Sequence, residues 1–428
     1  MSVRRGTTSL FGYRDYTLLW IGQTFSLIGS SSSWVAYPLL VLALTGSAAK
    51  AGIVSFASWL PYVVFQLPAG ALVDRWHRKW TMAVCDALRA AALASVAVAL
   101  ALGQLVYWQL VIVAFVERTL TILFAPAETA ALSRIVPPAQ ISAAVARNDA
   151  RENTAGVVGP PLGGLLFGVA RLAPFAVDAA SYLVSLVTVL ALRTPLAPEP
   201  VEKRTRLRQE VGEGVAFIWR IPFLRATALQ AMGTNVTWSA AALALIVVAR
   251  KHGASGGEVG AMLALFGLGG VAGSAASGPL LRTIKTPVLV VGSVWYWGVL
   301  VSLLVLTTNP FLLGTIAGAA LFLAPAWNGA VVGFRIRVTP DRLQGRVHAV
   351  EALLSFGARP FAMLATGFLL DGLGGRSTLG IIAAYTIGIA LLSTASPALR
   401  QMPPQEGTGA ARAPIAATAT ADRPSAER

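Results

Sequence analysis

Long apolar stretches alternate with short polar segments along almost the whole chain. Each stretch holds about 20 residues or more, which is enough for an α-helix to cross the hydrocarbon core of a membrane. A barrel is disfavoured, because its short alternating segments are absent, and a lipid-facing backbone must satisfy its own hydrogen bonds. The pattern predicts an all-α integral membrane protein with twelve transmembrane helices. We place them at 16–44, 51–73, 80–102, 105–135, 141–170, 173–193, 222–249, 257–281, 286–306, 310–338, 346–370 and 378–398.

The composition agrees with a membrane protein, since 55% of the residues are hydrophobic, 12% are charged and the mean hydropathy is +0.67. A net charge of +15 would suit nucleic acid, but Arg and Lys concentrate in one set of alternate loops. This asymmetry predicts a cell (inner or plasma) membrane protein with both termini cytoplasmic. Anionic lipid headgroups are then the expected partner of the basic loops, and nucleic acid is not.

A Pro-rich and basic segment divides the apolar stretches into two sets of six. We predict a first six-helix bundle at 1–193, a cytoplasmic linker at 194–221, a second bundle at 222–400 and a disordered cytoplasmic tail at 401–428. Within the linker, apolar and basic positions from about 205 to 220 predict an amphipathic helix on the inner membrane surface.

Short sequence matches recur between the two halves in the same order. Gly70-Ala-Leu72 matches Gly278-Pro-Leu280, Ala125-Pro-Ala127 matches Ala324-Pro-Ala326, and Arg134-Ile-Val-Pro137 matches Arg337-Val-Thr-Pro340. Together the matches indicate duplication and a parallel repeat of the two bundles. The second copy lacks the acid of the first, because Arg282 stands at the position that matches Asp74.

A short basic turn at 70–79 joins the second and third stretches, and its charge places it at a membrane surface. Its pattern, G-x-L-x-D-R-x-x-R-K, resembles the loop between helices 2 and 3 of the major facilitator superfamily of transporters, with His77 in place of the usual glycine. The resemblance implies a gate between the halves, in which an acid at a helix C-terminus requires compensation. In the alternative, the basic residues only set topology. The gating candidates are Gly70, Leu72, Asp74, Arg75, Arg78 and Lys79, with Glu128 as the expected acceptor for Arg78.

The fifth stretch contains Gly159-Pro-Pro-Leu-Gly-Gly164. It resembles the helix-5 motif of the drug-exporting antiporters of this superfamily, although Ala155 stands at the upstream glycine position. Pro160 is expected to bend the helix, and glycines permit close helix contact. The motif glycines are Gly159, Gly163 and Gly164.

The segments at 13–23 and 125–127 resemble the branch that contains the enterobactin exporter and macrolide efflux pumps. The resemblance implies export of an amphipathic small molecule (a drug, siderophore or secondary metabolite) by alternating access in exchange for protons. Two alternatives stay open. One is a solute importer or facilitator of the same fold, and the other is a non-transporting polytopic receptor or assembly protein.

Four ionisable residues within the apolar stretches are candidates for proton coupling, because a charge at membrane depth is costly and marks function. Glu117 and Arg118 are consecutive in the fourth stretch and so point about 100° apart on a helix. We expect one to line the path and the other to pair with a neighbouring helix. Glu351 and Arg359 lie near one face of the eleventh stretch. A purely structural ion pair is the alternative.

Polar and aromatic residues of the first and seventh stretches suit a substrate cavity, since flat amphipathic rings accommodate a bulky ligand. The cavity candidates are Gln23, Ser30, Trp34, Tyr37, Gln230, Asn235, Trp238 and Trp327. Some of these tryptophans alternatively belong to interfacial belts. The buried part of the first stretch has no acid, which disfavours a cationic substrate.

Motifs for other chemistry are absent from the sequence. There is no Walker A pattern, and His77, His252 and His348 have no metal-ligand spacing. No nucleophile and base are arranged for catalysis. We therefore predict a protein that is not an enzyme and has no cofactor or metal, with a small molecule and protons as partners, and we expect a monomer.

Overall fold

The structure, a computed structural model, describes residues 9–73, 75–197 and 207–400, and this part is almost entirely helical. The α-helices are α1 (Arg14–Thr45), α2 (Ala48–Val73), α3 (Arg78–Ala101), α4 (Tyr107–Ile135), α5 (Ile141–Val169), α6 (Ala173–Leu190), α7 (Leu207–Arg220), α8 (Pro222–Lys251), α9 (Gly256–Thr283), α10 (Thr286–Leu303), α11 (Pro310–Leu321), α12 (Ala324–Val338), α13 (Gln344–Phe356), α14 (Arg359–Gly372), α15 (Gly374–Ala395) and α16 (Pro397–Arg400). The predicted gating acid Asp74 and the predicted disordered tail at 401–428 lie outside the described residues.

The all-α membrane fold is confirmed, but the number of spans differs from twelve. Eleven spans of the described chain are long and apolar enough to cross a membrane. The exception is the predicted span at 141–170, because the first half of α5 carries Arg147, Asp149, Arg151 and Glu152. α5 is still 29 residues long and packs along α1 and α9. It therefore belongs to the bundle although its hydropathy does not mark it as a span.

Two of the predicted spans are interrupted helices. The span at 310–338 consists of α11 and α12, and the span at 346–370 consists of α13 and α14. Pro325 and Pro360 stand in the first turn of α12 and α14. A proline there lacks the N–H group that would continue the hydrogen bonds of the preceding helix. The matching Pro126 lies within the continuous helix α4, so the two copies have diverged at this point.

The helices form two sets that share a core at only one end. We call the end at which α2, α4 and α6 finish the linker side, and the opposite end the far side. On the far side one apolar core joins both sets, including α1 and α2 with α8 and α9. Toward the linker side each set has its own core. The halves are therefore packed together on the far side.

Glycines allow the backbones of the two halves to approach closely. A Cβ added at Gly52 of α2 would lie 2.9 Å from the Cα of Gly367 in α14. A Cβ added at Gly164 of α5 would lie 2.4 Å from the Cα of Gly260 in α9. Both distances are below van der Waals contact, so a larger residue would force the helices apart.

The helix-5 motif contributes to two different interfaces. A Cβ at Gly159 would lie 2.2 Å from Ser31 Cβ, and a Cβ at Gly163 would lie 2.2 Å from the Ser32 carbonyl oxygen. These two glycines therefore pack on α1 within the first half, whereas Gly164 packs on α9 of the second. Pro160 lies inside α5, and the helix continues beyond it.

Helix α7 occupies the segment predicted to be amphipathic and packs on α13. The guanidinium of Arg346 in α13 donates to Glu213, and it lies 3.4 Å from a carboxylate oxygen of Glu210. The end of the linker is thus attached to the second half. Its contact with lipid, like the domain boundaries given above, stays a prediction.

We predict that Gly164→Ala weakens closure of the far side. The added methyl group meets the α9 backbone, and overpacking of this kind costs about 1–3 kcal/mol, or roughly tenfold in the population of the closed state. Gly168→Ala is the matched control, because its Cβ would meet Gly257 N at an ordinary 3.5 Å. The measurement is the maleimide labelling rate of a reporter cysteine, Ser55→Cys in a buried position of α2, in a Cys85→Ala background. We expect faster labelling in Gly164→Ala. Equal labelling of both variants would contradict the prediction.

Candidate functional site

The carboxyl group of Glu117 lies half-buried at the middle of α4 and is held by two phenols. Tyr37 of α1 donates to one carboxyl oxygen at 3.2 Å, and Tyr182 of α6 donates to the other at 3.1 Å. Among the described residues no cation forms an ion pair with it. A carboxylate at this depth is expensive when charged, and here its neighbours are hydrogen-bond donors that also accommodate a neutral acid.

A buried polar network continues from Glu117 into the first half. Arg89 forms an ion pair with Asp86 on α3, and its guanidinium lies 4.3 Å from the centre of the Tyr182 ring. Ser185 donates to Asp86 at 2.6 Å, and Gln23 donates to Ser185 at 2.7 Å. The predicted cavity residue Gln23 is therefore bonded inside the first half, not exposed to the space between the halves.

A second arm of the network contains Asp178 of α6. Ser33 donates to its carboxylate at 2.5 Å, and Ser181 donates at 3.2 Å. Ser30, another predicted cavity residue, shares a 2.8 Å hydrogen bond with the hydroxyl group of Tyr182. Ser30 thus joins the same network and is connected to Glu117 by two hydrogen bonds, through the Tyr182 hydroxyl group.

The second half repeats part of this network without its charges. Gln230 of α8 donates to Ser393 of α15 at 2.8 Å, as Gln23 does to Ser185. Its amide oxygen accepts from the indole of Trp327 at 3.0 Å. The predicted cavity residues Gln230 and Trp327 are consequently buried against each other within the second half. The paired Gln–Ser contacts support the duplication inferred from sequence.

Between the halves lies a narrow cleft. Its residual volume is about 20 Å³, room for roughly one water molecule. Trp34 and Tyr37 line it from α1, so these two predicted cavity residues do face the other half. The remaining lining residues are Pro38, Ser55, Ser58, Ala242, Leu243, Ile246 and Met363. Tyr37 thus connects the cleft with Glu117.

Arg118 and Arg359, from opposite halves, meet at the indole of Trp59. Their guanidinium carbons lie 4.7 Å and 4.8 Å from the ring centre, respectively. Arg118 Nε donates to the Ser58 carbonyl at 3.0 Å, and Arg359 Nε donates to the side-chain oxygen of Asn235 at 3.1 Å. The sequence named these two arginines for coupling and Asn235 for the cavity. It did not indicate that Trp59 brings the arginines together.

Trp238, the remaining cavity candidate, belongs to an aromatic cluster of the second half. Its ring centre lies 5.9 Å from those of Phe266 and Trp297, and Trp297 lies 6.2 Å from Trp327. Trp238 is half-buried, whereas Trp297 is buried. The cluster therefore offers a partly accessible aromatic surface.

The remaining acids of the sequence analysis form ion pairs near the linker side. Glu351, a coupling candidate, pairs with Arg335 of α12. Glu128 accepts from Arg151 of α5 at 2.9 Å, so the expected bond from Arg78 to Glu128 is wrong. Nη1 of Arg78 is buried without a hydrogen-bond partner in the described chain. Glu128 is already bonded to Arg151, and the backbone of Arg78 is held instead at the Leu196 carbonyl.

The basic turn contacts the end of the first half. Nζ of Lys79 donates to the Leu192 carbonyl at 2.8 Å, and the backbone N–H of Arg78 donates to the Leu196 carbonyl at 3.3 Å. Arg75 and Leu72 are exposed, and a Cβ at Gly70 would meet nothing within 4 Å. These contacts attach the turn to the segment that follows α6.

Asp371 clamps the halves on the far side, and sequence reasoning missed it. Its carboxylate on α14 accepts from Ser47 Oγ at 2.6 Å and from the backbone N–H groups of Ala48 and Ala49 at 2.9 Å. Lys251 lies 3.3 Å away. The acid thus caps the N-terminus of α2, a helix of the other half. One signal was available, because an acid at the C-terminus of its own helix requires compensation elsewhere.

Comparison with solved structures supports the fold. The bacterial homolog of the human lysosomal transporter Spinster superimposes with a TM-score of 0.68 at 14% identity, covering 93% of this chain and 100% of that one. A bacterial homologue of the iron transporter ferroportin gives 0.69 at 13% identity, covering 89% and 98%. At these identities the likeness concerns the fold alone.

Two curated relatives are similar in sequence. Multidrug efflux pump Tap of Mycobacterium tuberculosis is 28% identical over 408 residues, which is 90% of this chain and 94% of that protein. Macrolide efflux protein A of Streptococcus pyogenes is 30% identical over 205 residues, 47% of this chain and 50% of that protein.

Two helical halves around a central cleft, together with these likenesses, define a multi-pass membrane transporter of the major facilitator superfamily. Within it, the family model described as transmembrane secretion effector matches residues 7–419. The chain belongs to that family.

We predict that Asp371→Asn weakens the far-side clamp. Asparagine keeps one acceptor but loses the charge that strengthens the bonds to the α2 backbone, which costs about 1 kcal/mol, or roughly fivefold in closed population. Labelling of Ser55→Cys in the Cys85→Ala background should rise accordingly. Asp341→Asn, at an exposed acid on the linker side, is the control. If Asp371 does not hold the halves together, both variants will be labelled at the parental rate.

Proposed function

We propose that this protein exports an amphipathic small molecule by alternating access in exchange for protons. The observation that carries the proposal is Glu117, a half-buried carboxyl group at the middle of α4 that is held by Tyr37 and Tyr182 and has no ion-pair partner in the described chain. A group in this position is able to take up and release a proton without breaking a salt bridge. Tyr37 both bonds to Glu117 and lines the cleft, so a change in the protonation of Glu117 would be felt in the proposed substrate path.

The direction is proposed from the relatives and from the charge pattern. The curated relatives are named as efflux proteins, and the excess of Arg and Lys in the linker-side loops supports a cytoplasmic location for that side. The shared core and glycine contacts close the far side, so substrate would enter from the cytoplasm. Proton binding at Glu117 and separation of the far-side contacts would then expose the substrate to the exterior.

We assign coupling to Glu117 in preference to Glu351. Glu351 lies toward the linker side and is neutralised by Arg335, so its deprotonated form is already compensated. Glu117 lacks such a partner and lies beside a network that also contains Asp86, Arg89 and Asp178. Protonation there alters hydrogen bonds to α1 and α6 together, and α1 lines the cleft with Trp34 and Tyr37.

We also propose that the basic turn forms the linker-side gate when the halves close at that end. Arg78 is held by the Leu196 carbonyl while Nη1 of its guanidinium is buried without a partner in the described chain. An arginine in this condition is available for an acceptor from the second half. Asp74 would balance the basic cluster, as the superfamily resemblance implies.

For coupling, we predict that Glu117→Gln abolishes accumulation driven by a pH gradient while preserving substrate counterflow. Gln keeps hydrogen bonding to the phenols but binds no transferable proton. The measurement uses proteoliposomes with an imposed gradient. Glu351→Gln is the comparison, and we expect it to keep gradient-driven transport. Uphill pumping by Glu117→Gln would overturn the assignment, and loss of counterflow as well would indicate a structural role.

For the gate, we predict that Asp74→Asn leaves membrane insertion intact and strongly reduces transport, because a neutral amide cannot balance the neighbouring cations. Insertion is measured by the amount of monodisperse protein extracted from membranes, and transport by initial rates in proteoliposomes. If Asp74→Asn transports at the parental initial rate, the basic turn only sets topology and does not form a gate.

A further inference from the structure

Two arginines from opposite halves converge on one indole at the centre of the protein. Arg118 of α4 and Arg359 of α14 each place a guanidinium on the ring of Trp59. The two cations can therefore be no farther apart than the sum of their two distances to the ring centre. Like charges this close repel, and in a membrane interior the repulsion is weakly screened.

Neither arginine forms an ion pair within the described chain. Arg118 donates to a backbone carbonyl, and Arg359 donates to the neutral amide of Asn235. The side chain of Glu117 points away from that of its neighbour Arg118, because its carboxyl oxygens accept from Tyr37 and Tyr182. Both arginines are half-buried as residues, and each keeps side-chain N–H groups beyond those that bond to Ser58 and Asn235, so donors remain available to a ligand. An anion between them would remove the repulsion.

Aromatic rings surround the two cations. The ring centre of Tyr62 lies 6.2 Å from that of Trp59 and 5.8 Å from that of Phe356. The guanidinium carbon of Arg359 lies 4.3 Å from the centre of the Phe356 ring. Such surfaces suit the apolar body of an amphiphile, while arginine forks suit carboxylate or phosphate oxygens. Charge and apolar surface thus occur together in one site.

We propose that Arg118 and Arg359 bind the anionic headgroup of an amphipathic substrate, a carboxylate or phosphate, between the two halves. The inference rests on the export function proposed above and specifies its substrate class. Each half supplies one arginine, so a bound anion bridges the halves and favours their approach on the linker side. Trp59 holds both guanidiniums in position before the ligand arrives.

The test uses purified protein and three water-soluble ligands with the same aromatic body. They are 1-naphthaleneacetate, 1-naphthaleneacetamide and 1-naphthylethylamine, which are anionic, neutral and cationic, and binding is measured by equilibrium dialysis. We expect the anion to bind at least tenfold more tightly than the other two. Arg118→Gln and Arg359→Gln should each weaken anion binding about tenfold and leave amide binding unchanged. Arg118→Lys and Arg359→Lys should retain part of the preference.

Arg342→Gln, at an exposed arginine of the linker side, is the control and should bind as the parent does. Competition by inorganic phosphate, and by vesicles of phosphatidylglycerol against phosphatidylcholine, distinguishes a free anion or a lipid headgroup from the amphiphile. Equal binding of all three ligands, absence of binding, or an unchanged preference in folded Gln variants would overturn the proposal. These binding assays need no gradient. A preference for the anionic ligand in a protein that shows no proton-driven transport would refute the export function and still support the anion site.

Discussion

Close backbone approach on the far side is the constraint on which the rest of the structure depends. Lipid supplies little hydrophobic drive for helix association, so small residues and hydrogen bonds must hold the halves together. Gly52 with Gly367 and Gly164 with Gly260 provide the contact, and Asp371 adds a charged cap. The proposed entry of substrate from the linker side rests on this contact, because the apolar core that both halves share lies at the far end.

Duplication supplied two similar halves, and divergence gave them different chemistry. The Gln–Ser bond between the first and last helices of each half is present in both copies. In the first half it leads to Asp86 and Arg89, whereas in the second it leads to Trp327. The buried ionisable side chains of this network are thereby concentrated in one half, and the aromatic cluster around Trp297 lies in the other. A conformational change that moves the halves apart also changes the relation between these two surfaces.

Sequence predicted the helices well and their rotation poorly. The apolar pattern placed a span at every bundle helix, α5 included, although Arg151 and its charged neighbours leave α5 outside the eleven spans that hydropathy marks in the described chain. Gln23 and Gln230 were expected to face a cavity, yet each bonds within its own half, because a helix that is apolar on most sides carries no periodicity to reveal its inward face. Trp59 was missed for the same reason. It lies among apolar residues, and only the packing shows two cations on its ring.

Helix α4 carries both proposed activities, since Glu117 and Arg118 are consecutive and point in different directions. Movement of α4 therefore affects the proton site and the anion site together. In the proposed exchange, the net charge that crosses the membrane has a definite sign. A proton that enters moves positive charge inward, and an anion that leaves moves negative charge outward, which is electrically the same. The membrane potential would assist both at about 2.3 kcal/mol per charge per 100 mV. An exporter of anions gains from the potential where an exporter of cations loses. Under the proposed function, that gain gives a physical reason for two arginines that form no ion pair within the described chain.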